Sequence, residues 1–416
     1  MRSLALLGLG CLTALLLPFA CVDPLAQTLA DTVDVLVVDG TITNVAEPMV
    51  IRLNRSHADR LTGRSGTLPV TKATVEVILD SSEVISCHET INGSYQLPND
   101  FKGQINHAYQ LRFTLSDGTR YISTQQVMPS VPPISRVTVQ FNPTSLSPIE
   151  AIDGHYRAAH DVYLDTQDPV NEHNYYRWSW MLYEPQEYCR TCYQGIYAVN
   201  EVLPFNNGVF QSTNKPFEDC VYPPASSQAY LYVQGTSFDY FCRTQCWEIL
   251  YSHTINVFDD KFTNGGLISR QLVAQVPFYQ HSPCLVDIRQ EALTKTAYEY
   301  FNFFQQQTQS TGGLTDTPPT VMIGNIRNEA DPKEKVIGYF TASAVSIKPY
   351  YIDRKDTDGI PPTLFYALNG RIPNPESPPP PSNGPTFLVG GPVRPPTAVC
   401  GPIDQRTPIA PIGWPN

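Results

Sequence analysis

Asn92-Gly93 and Asp117-Gly118 each stand between two apolar runs, and no other local feature constrains the fold as much. The central residues of a tight hairpin turn need positive φ, which Gly adopts freely and Asn or Asp at low cost. Each pair therefore predicts two directly joined antiparallel strands. The flanking segments alternate as strands should, over Val33 to Val38, Met49 to Leu53, Ala73 to Leu79, Tyr109 to Leu115 and Tyr121 to Val127. Asp39-Gly40 is expected to turn the chain before Thr41. This pattern predicts an immunoglobulin-like β-sandwich over 31–130. The three prolines of VMPSVPPIS, Val127 to Ser135, form its boundary.

Residues 136–349 read as a larger second β-domain. Its longest strand lies within NYYRWSWMLYEPQEY, Asn174 to Tyr188, where Tyr176, Trp178, Trp180 and Leu182 share one face. Such a stripe is either core or the lining of a cavity. As ligand contacts, Tyr176, Trp178 and Trp180 would stack on a sugar or an apolar ligand. One amphipathic helix is expected near 290–307, because Leu293, Ala297, Tyr300, Phe301 and Phe304 recur at helical spacing and Thr311-Gly312-Gly313 ends the pattern. The 38 prolines and 11% aromatic content suit a mainly β, turn-rich chain. Sixteen of those prolines fall between Pro361 and Pro415, so 350–416 reads as an extended, partly ordered tail.

The N-terminus predicts export. Arg2 precedes an apolar run from Leu4 to Leu17, too short to span a bilayer comfortably, and LLLPFAC ends in Cys21 as a lipobox does. Residues 1–20 are then a signal peptide, Cys21 the lipidated residue, and 21–30 a tether. Cys11 leaves with the signal, and the remaining even set is Cys87, Cys189, Cys192, Cys220, Cys242, Cys246, Cys284 and Cys400. In an exported chain these are structural disulfide candidates. Zinc held by thiolates at Cys189-Arg-Thr-Cys192 and Cys242-Arg-Thr-Gln-Cys246, or a redox dithiol at the first, are the alternatives.

Net charge excludes some partners. The formal charge of −11 becomes −12 when Arg2 is removed, which disfavours nucleic acid and anionic membrane surfaces. His155 and His160, five apart, would point to opposite faces of a strand and suit no shared metal. Asp353, Asp356 and Asp358 before Gly359 lack the terminal glutamate of a calcium loop. The sequence holds no G-x-S-x-G, H-E-x-x-H or Walker A motif. We assign no catalytic residue, metal or cofactor from it.

Several stretches together resemble a known family: Cys21-Val-Asp, VLVVDGTITN (Val35 to Asn44), PVTKATVEVI (Pro69 to Ile78), NGSYQLP (Asn92 to Pro98), AYEYFNFF (Ala297 to Phe304), TPPTVMIGNIRN (Thr317 to Asn328) and VIGYFTAS (Val336 to Ser343). The chain resembles the Bacteroidetes lipoproteins that carry domain of unknown function 4249. Its tail departs from the family pattern, keeping only Cys400 and Gly413-Trp414-Pro415 where members often have closely spaced cysteines. The resemblance brings no catalytic residues. It implies an outer-membrane, lipid-anchored, non-catalytic accessory or ligand-binding partner of a TonB-dependent transporter. A structural or adhesive surface protein, or a surface hydrolase using dispersed carboxylates, are the rival expectations. The membrane face stays open, since Asp23 is the only acid just after Cys21.

Overall fold

The computed structural model describes residues 35–58, 65–170, 172–204, 210–308, 322–377, 388–390 and 395–415. The signal segment, Cys21, the tether, Thr311 to Gly313 and Pro378 to Pro381 lie outside them. The fold is mainly β, as expected, with several largely antiparallel sheets.

In the first module, strand Leu36–Thr43 turns Leu36, Val38 and Ile42 into the core. It pairs antiparallel with Val50–Ala58 on one side. On the other it pairs in parallel, over its whole length, with Val336–Ser343. A second sheet joins Ile326–Asn328, Arg120–Ser123, Ala108–Thr114, Thr74–Leu79 and Glu83–Ser86. Both sheets feed one core that includes Val38, Leu53, Val77, Leu111, Phe113, Tyr121 and Phe340. Strands Ile326–Asn328 and Val336–Ser343, which the sequence reading groups with 136–349, thus complete the two sheets of the first module.

Local sequence explains that closure. Asn325 clamps Phe340, donating from Nδ2 to its carbonyl at 2.8 Å and accepting from its amide at 2.9 Å. Gly338 has φ +97°, and a Cβ there would lie 1.8 Å from the carbonyl oxygen of Val38, so only glycine allows this approach. The hairpins at Asn92-Gly93 and Asp117-Gly118 form as predicted, with Gly93 at φ +76° and Gly118 at φ +89°. Asp39-Gly40 does not turn. It runs straight through its strand, and Gly40 leaves room for the Ile51 and Phe340 side chains.

The second region packs a three-stranded sheet (Ile134–Asn142, Ala159–Gln167, Leu267–Pro277) against a larger one. In the larger sheet Tyr175–Pro185 is flanked by Cys284–Leu293 on one edge and by Trp247–Tyr251 and Asn256–Asp259 on the other. Val345–Ile352 lies beyond Cys284–Leu293. The expected helix exists as Lys295–Thr308, five residues later than expected at its start, because Gln290 to Leu293 finish a strand. Its predicted face is correct. Ala297 and Tyr300 are buried beside Leu293, Tyr175 and Tyr339, with Phe301 and Phe304 packed against them.

A third, small core is stapled by disulfides. Tyr188–Tyr193 pairs with Ser237–Phe241, and Ile196–Pro204 with Phe210–Val221. The bonds are Cys189–Cys242, Cys192–Cys220 and Cys246–Cys400. Six of the eight candidates are thus disulfide-bonded, and Cys87 and Cys284 are free thiols. The reason is location: Cys87 lies where the chain leaves one sheet of the first module for the other, whereas Cys284 is deep in the second core. Burial, helped by Glu76, pushes the Cys87 thiol up to about 12, and burial also raises that of Cys284. Both are unreactive as thiolates at neutral pH.

The described end of the tail is docked. Cys400 is bonded to Cys246, Arg406–Thr407 pairs with Trp247 and Glu248, and Trp414 packs edge-on against both Trp247 and Tyr351. No helix among the described residues is long and apolar enough to cross a membrane.

Candidate functional site

The aromatic stripe does not line a cavity. Tyr176 and Trp178 are sealed in the second core, as expected for a strand covered on both faces. Their polar ends are satisfied inside it: Tyr176 Oη donates to Asp168 at 2.5 Å and Trp178 Nε1 to Gln290 Oε1 at 3.0 Å. Trp180 is half-buried against the same cluster. Tyr176 and Trp178 are therefore core residues, not ligand contacts.

The chain instead builds a cleft just past the end of that strand. It holds about 570 Å³ and is walled by Gln186 to Thr191, by strand Trp247–Tyr251, by the short helix Leu364–Asn369 and by Gln405 and Arg406. Two disulfides fix its walls, since Cys189 is bonded to Cys242 and Cys246 to Cys400. Such cross-links stabilise mainly by restricting the unfolded chain, and here they also hold the cleft walls to the third core.

Aromatic and charged groups share the cleft. The Tyr188 ring stacks on Phe241 at 4.6 Å and meets the edge of Phe365 at 5.1 Å. The Tyr251 ring is partly exposed, and its hydroxyl donates to the Asp404 carbonyl at 3.2 Å. Burial, with Asp404 and Glu47 nearby, raises its pKa. Glu248 accepts from Gln186 Nε2 at 3.0 Å and from Arg406 Nε at 3.2 Å, while Arg406 Nη1 holds the Cys189 carbonyl at 2.9 Å. Both contacts tie that carboxylate into the wall.

Behind the cleft, Asp239 is buried and accepts from Arg371 Nη1 and Nη2 at 2.6 and 2.7 Å, from the Asn374 amide and from Thr191 Oγ1. Burial alone would raise its pKa, but these donors and the guanidinium charge outweigh that and hold it below the ordinary carboxylate value. The arrangement suits recognition: flat apolar rings beside hydrogen-bonding groups at a rigid, water-accessible opening.

The other sequence candidates separate. Cys189, Cys246 and Cys400 bring their sulfurs together, yet each is in a disulfide and none is a thiolate ligand. Cys189 and Cys192 pair with different partners, so the CxxC is not a redox dithiol. His155 is exposed and bonds the Asp153 carbonyl, whereas His160 is buried between Phe141 and Phe278, where burial and Arg354 lower its pKa against the pull of Asp356 at 3.6 Å. Asp353 caps Lys355, and Asp353, Asp356 and Asp358 form an exposed turn. The cleft residues escaped sequence reading because Tyr188, Tyr251, Phe365 and Arg406 come from distant segments joined by disulfides. The pairing of Cys246 with Cys400 was the missing signal.

Fold and site define a mainly β, disulfide-bonded protein with an open cleft beside its cross-links. The family model described as Domain of unknown function (DUF4249) matches residues 22–348, and the chain belongs to that family. No curated protein matches it.

Proposed function

We propose that this protein is a lipid-anchored, non-catalytic outer-membrane protein that serves a TonB-dependent transporter as an accessory or ligand-binding partner. Lipid at Cys21 gives the anchor, and the several acyl chains of a mature bacterial lipoprotein make attachment stable. The first module is the spacer or docking surface. The observation that carries the binding role is the cleft, in which Tyr188 and Tyr251 stand beside Arg190, Glu248 and Arg406 on walls tied by disulfides. Aromatic faces flanked by hydrogen-bonding groups suit glycans and peptides.

A glycan and oligopeptide panel on the purified protein tests this reading. A bound class whose affinity falls at least about tenfold, or ~1.4 kcal/mol, in Tyr251→Ala and Arg190→Ala is the expected result. Binding that persists unchanged in both folded variants would remove the cleft from the account.

A further inference from the structure

At the opposite end of strand Tyr175–Pro185, roughly 33 Å along it from the cleft, a second polar cluster has formed. His173 precedes the strand, and Asp259 and Asp260 enter the single 3-10 turn Asp260–Phe262 beside it. The ring nitrogen His173 Nε2 lies 2.7 Å from Asp259 Oδ1 and 3.3 Å from Asp260 Oδ1.

Asp260 is the informative member. It is wholly buried; Oδ2 accepts from the Asn174 amide at 2.9 Å, but Oδ1 accepts no hydrogen bond and faces the imidazole. A buried carboxylate oxygen without a donor is costly, so something is expected to satisfy it. Nearby charge makes the cost larger. Asp168, itself buried, faces Asp260, and its own oxygens are already used by Tyr176 Oη and the Gly265 amide. Two carboxylates thus face the imidazole, and a third, Asp168, lies behind Asp260.

We propose that His173 Nε2 and carboxylate oxygens of Asp259 and Asp260 bind one divalent transition-metal cation of the zinc type. Nitrogen and oxygen ligands of a tetrahedral zinc lie about 2.0–2.2 Å from the ion, hence about 3.3–3.5 Å from one another. The His173–Asp260 separation already has that value, and the three ligand atoms all lie within 4.8 Å of one another. His173 has a side chain 48% exposed, which leaves it free to open the closer contact to Asp259 and gives the ion an entry path. One imidazole with two carboxylates favours zinc or a similar ion over calcium, which takes oxygen ligands in larger number. The ion ties His173 to the turn after strand Asn256–Asp259, and it neutralises the buried charge of Asp260.

Calorimetric titration of metal-stripped, full-length protein with zinc chloride, and separately with calcium chloride, tests the site. One zinc bound per chain, weakened at least about tenfold in both His173→Ala and Asp260→Asn, is the expected result. Zinc should also raise the melting temperature of the wild type and of neither variant. Circular dichroism checks the fold of Asp260→Asn; His173→Ala changes an exposed residue and remains decisive if the other variant misfolds. The proposal is overturned if the wild type takes up no stoichiometric zinc, if His173→Ala binds zinc as tightly as the wild type, or if calcium is bound in preference to zinc.

Discussion

The two halves of the molecule bury different things. In the first module Val38, Leu53, Val77, Leu111, Phe113 and Phe340 fill one core, and its buried polar residues among those described (Thr43, Ser94, Ser123, Gln126, Asn328, Thr341 and Ser343) are all uncharged. The second region buries Asp161, Asp168, Glu184, Asp239, Glu248, Asp260, Glu291 and Arg354. It also carries every disulfide among the described residues. An apolar core needs no cross-link, and there Cys87 stays a thiol. The buried charges of the second half depend on partners: Glu184 and Arg354, both fully buried, hold one another, and Arg354 also donates to the carbonyls of Gln280 and Ser282. One half is organised by packing and the other by cross-links and paired charges, and the cleft lies in the second.

Three variants test that contrast. The largest effect is expected from Phe340→Ala, which empties a fully buried site where the late strand closes the first module. Urea unfolding should show a loss of about 3–5 kcal/mol, with the disulfide-stapled core still protease-resistant. Unfolding of both halves together would show that the contrast is not energetic. Next comes the double change Cys246→Ala with Cys400→Ala, expected to cost about 2–5 kcal/mol. It should free the tail to proteolysis and leave the first module intact. A tail that stays protected would mean that Trp414 packing suffices.

The smallest effect concerns Asp287, whose carboxyl is pushed up to about 6 by burial, against the opposing pull of Arg289. A carboxyl with a raised folded-state pKa contributes stability that is fully present below its unfolded pKa near 4 and is lost as pH rises through about 6. Asp287→Asn should therefore stabilise the protein by about 1 kcal/mol at pH 7.5, discounted for partial exposure. It should make no difference at pH 3.5. Equal stabilisation at both values would remove titration as the cause.

Much of the first module was legible in the sequence because its signals are local. Asx-Gly turns and alternating apolar residues specify hairpins wherever they occur, and Asn92-Gly93 and Asp117-Gly118 did so. Asp39-Gly40 misled because the same pair also fits a strand where neighbours crowd the Cβ position, as Ile51 and Phe340 do there. The parallel pairing of Leu36–Thr43 with Val336–Ser343 joins segments about three hundred residues apart, and parallel strands need no turn that a sequence could display. The helix face was readable from its period, but its start was not, since strand Cys284–Leu293 ends in the same apolar pattern. The site was the least legible part. A stripe of Tyr176, Trp178 and Trp180 looks the same whether it faces a ligand or a second sheet, and the cleft is walled by distant segments that Cys189–Cys242 and Cys246–Cys400 tie together.

One experiment reaches both the proposed attachment and the proposed partnership: pull-down of the tagged protein from outer membranes in gentle detergent, with the intact mass of its N-terminus measured on the same sample. The expected result is an N-terminus that begins at a lipid-modified Cys21, with a TonB-dependent transporter recovered alongside it. An N-terminus without lipid and no transporter in the eluate would contradict it, and would leave the cleft as the site of a freely secreted binding protein.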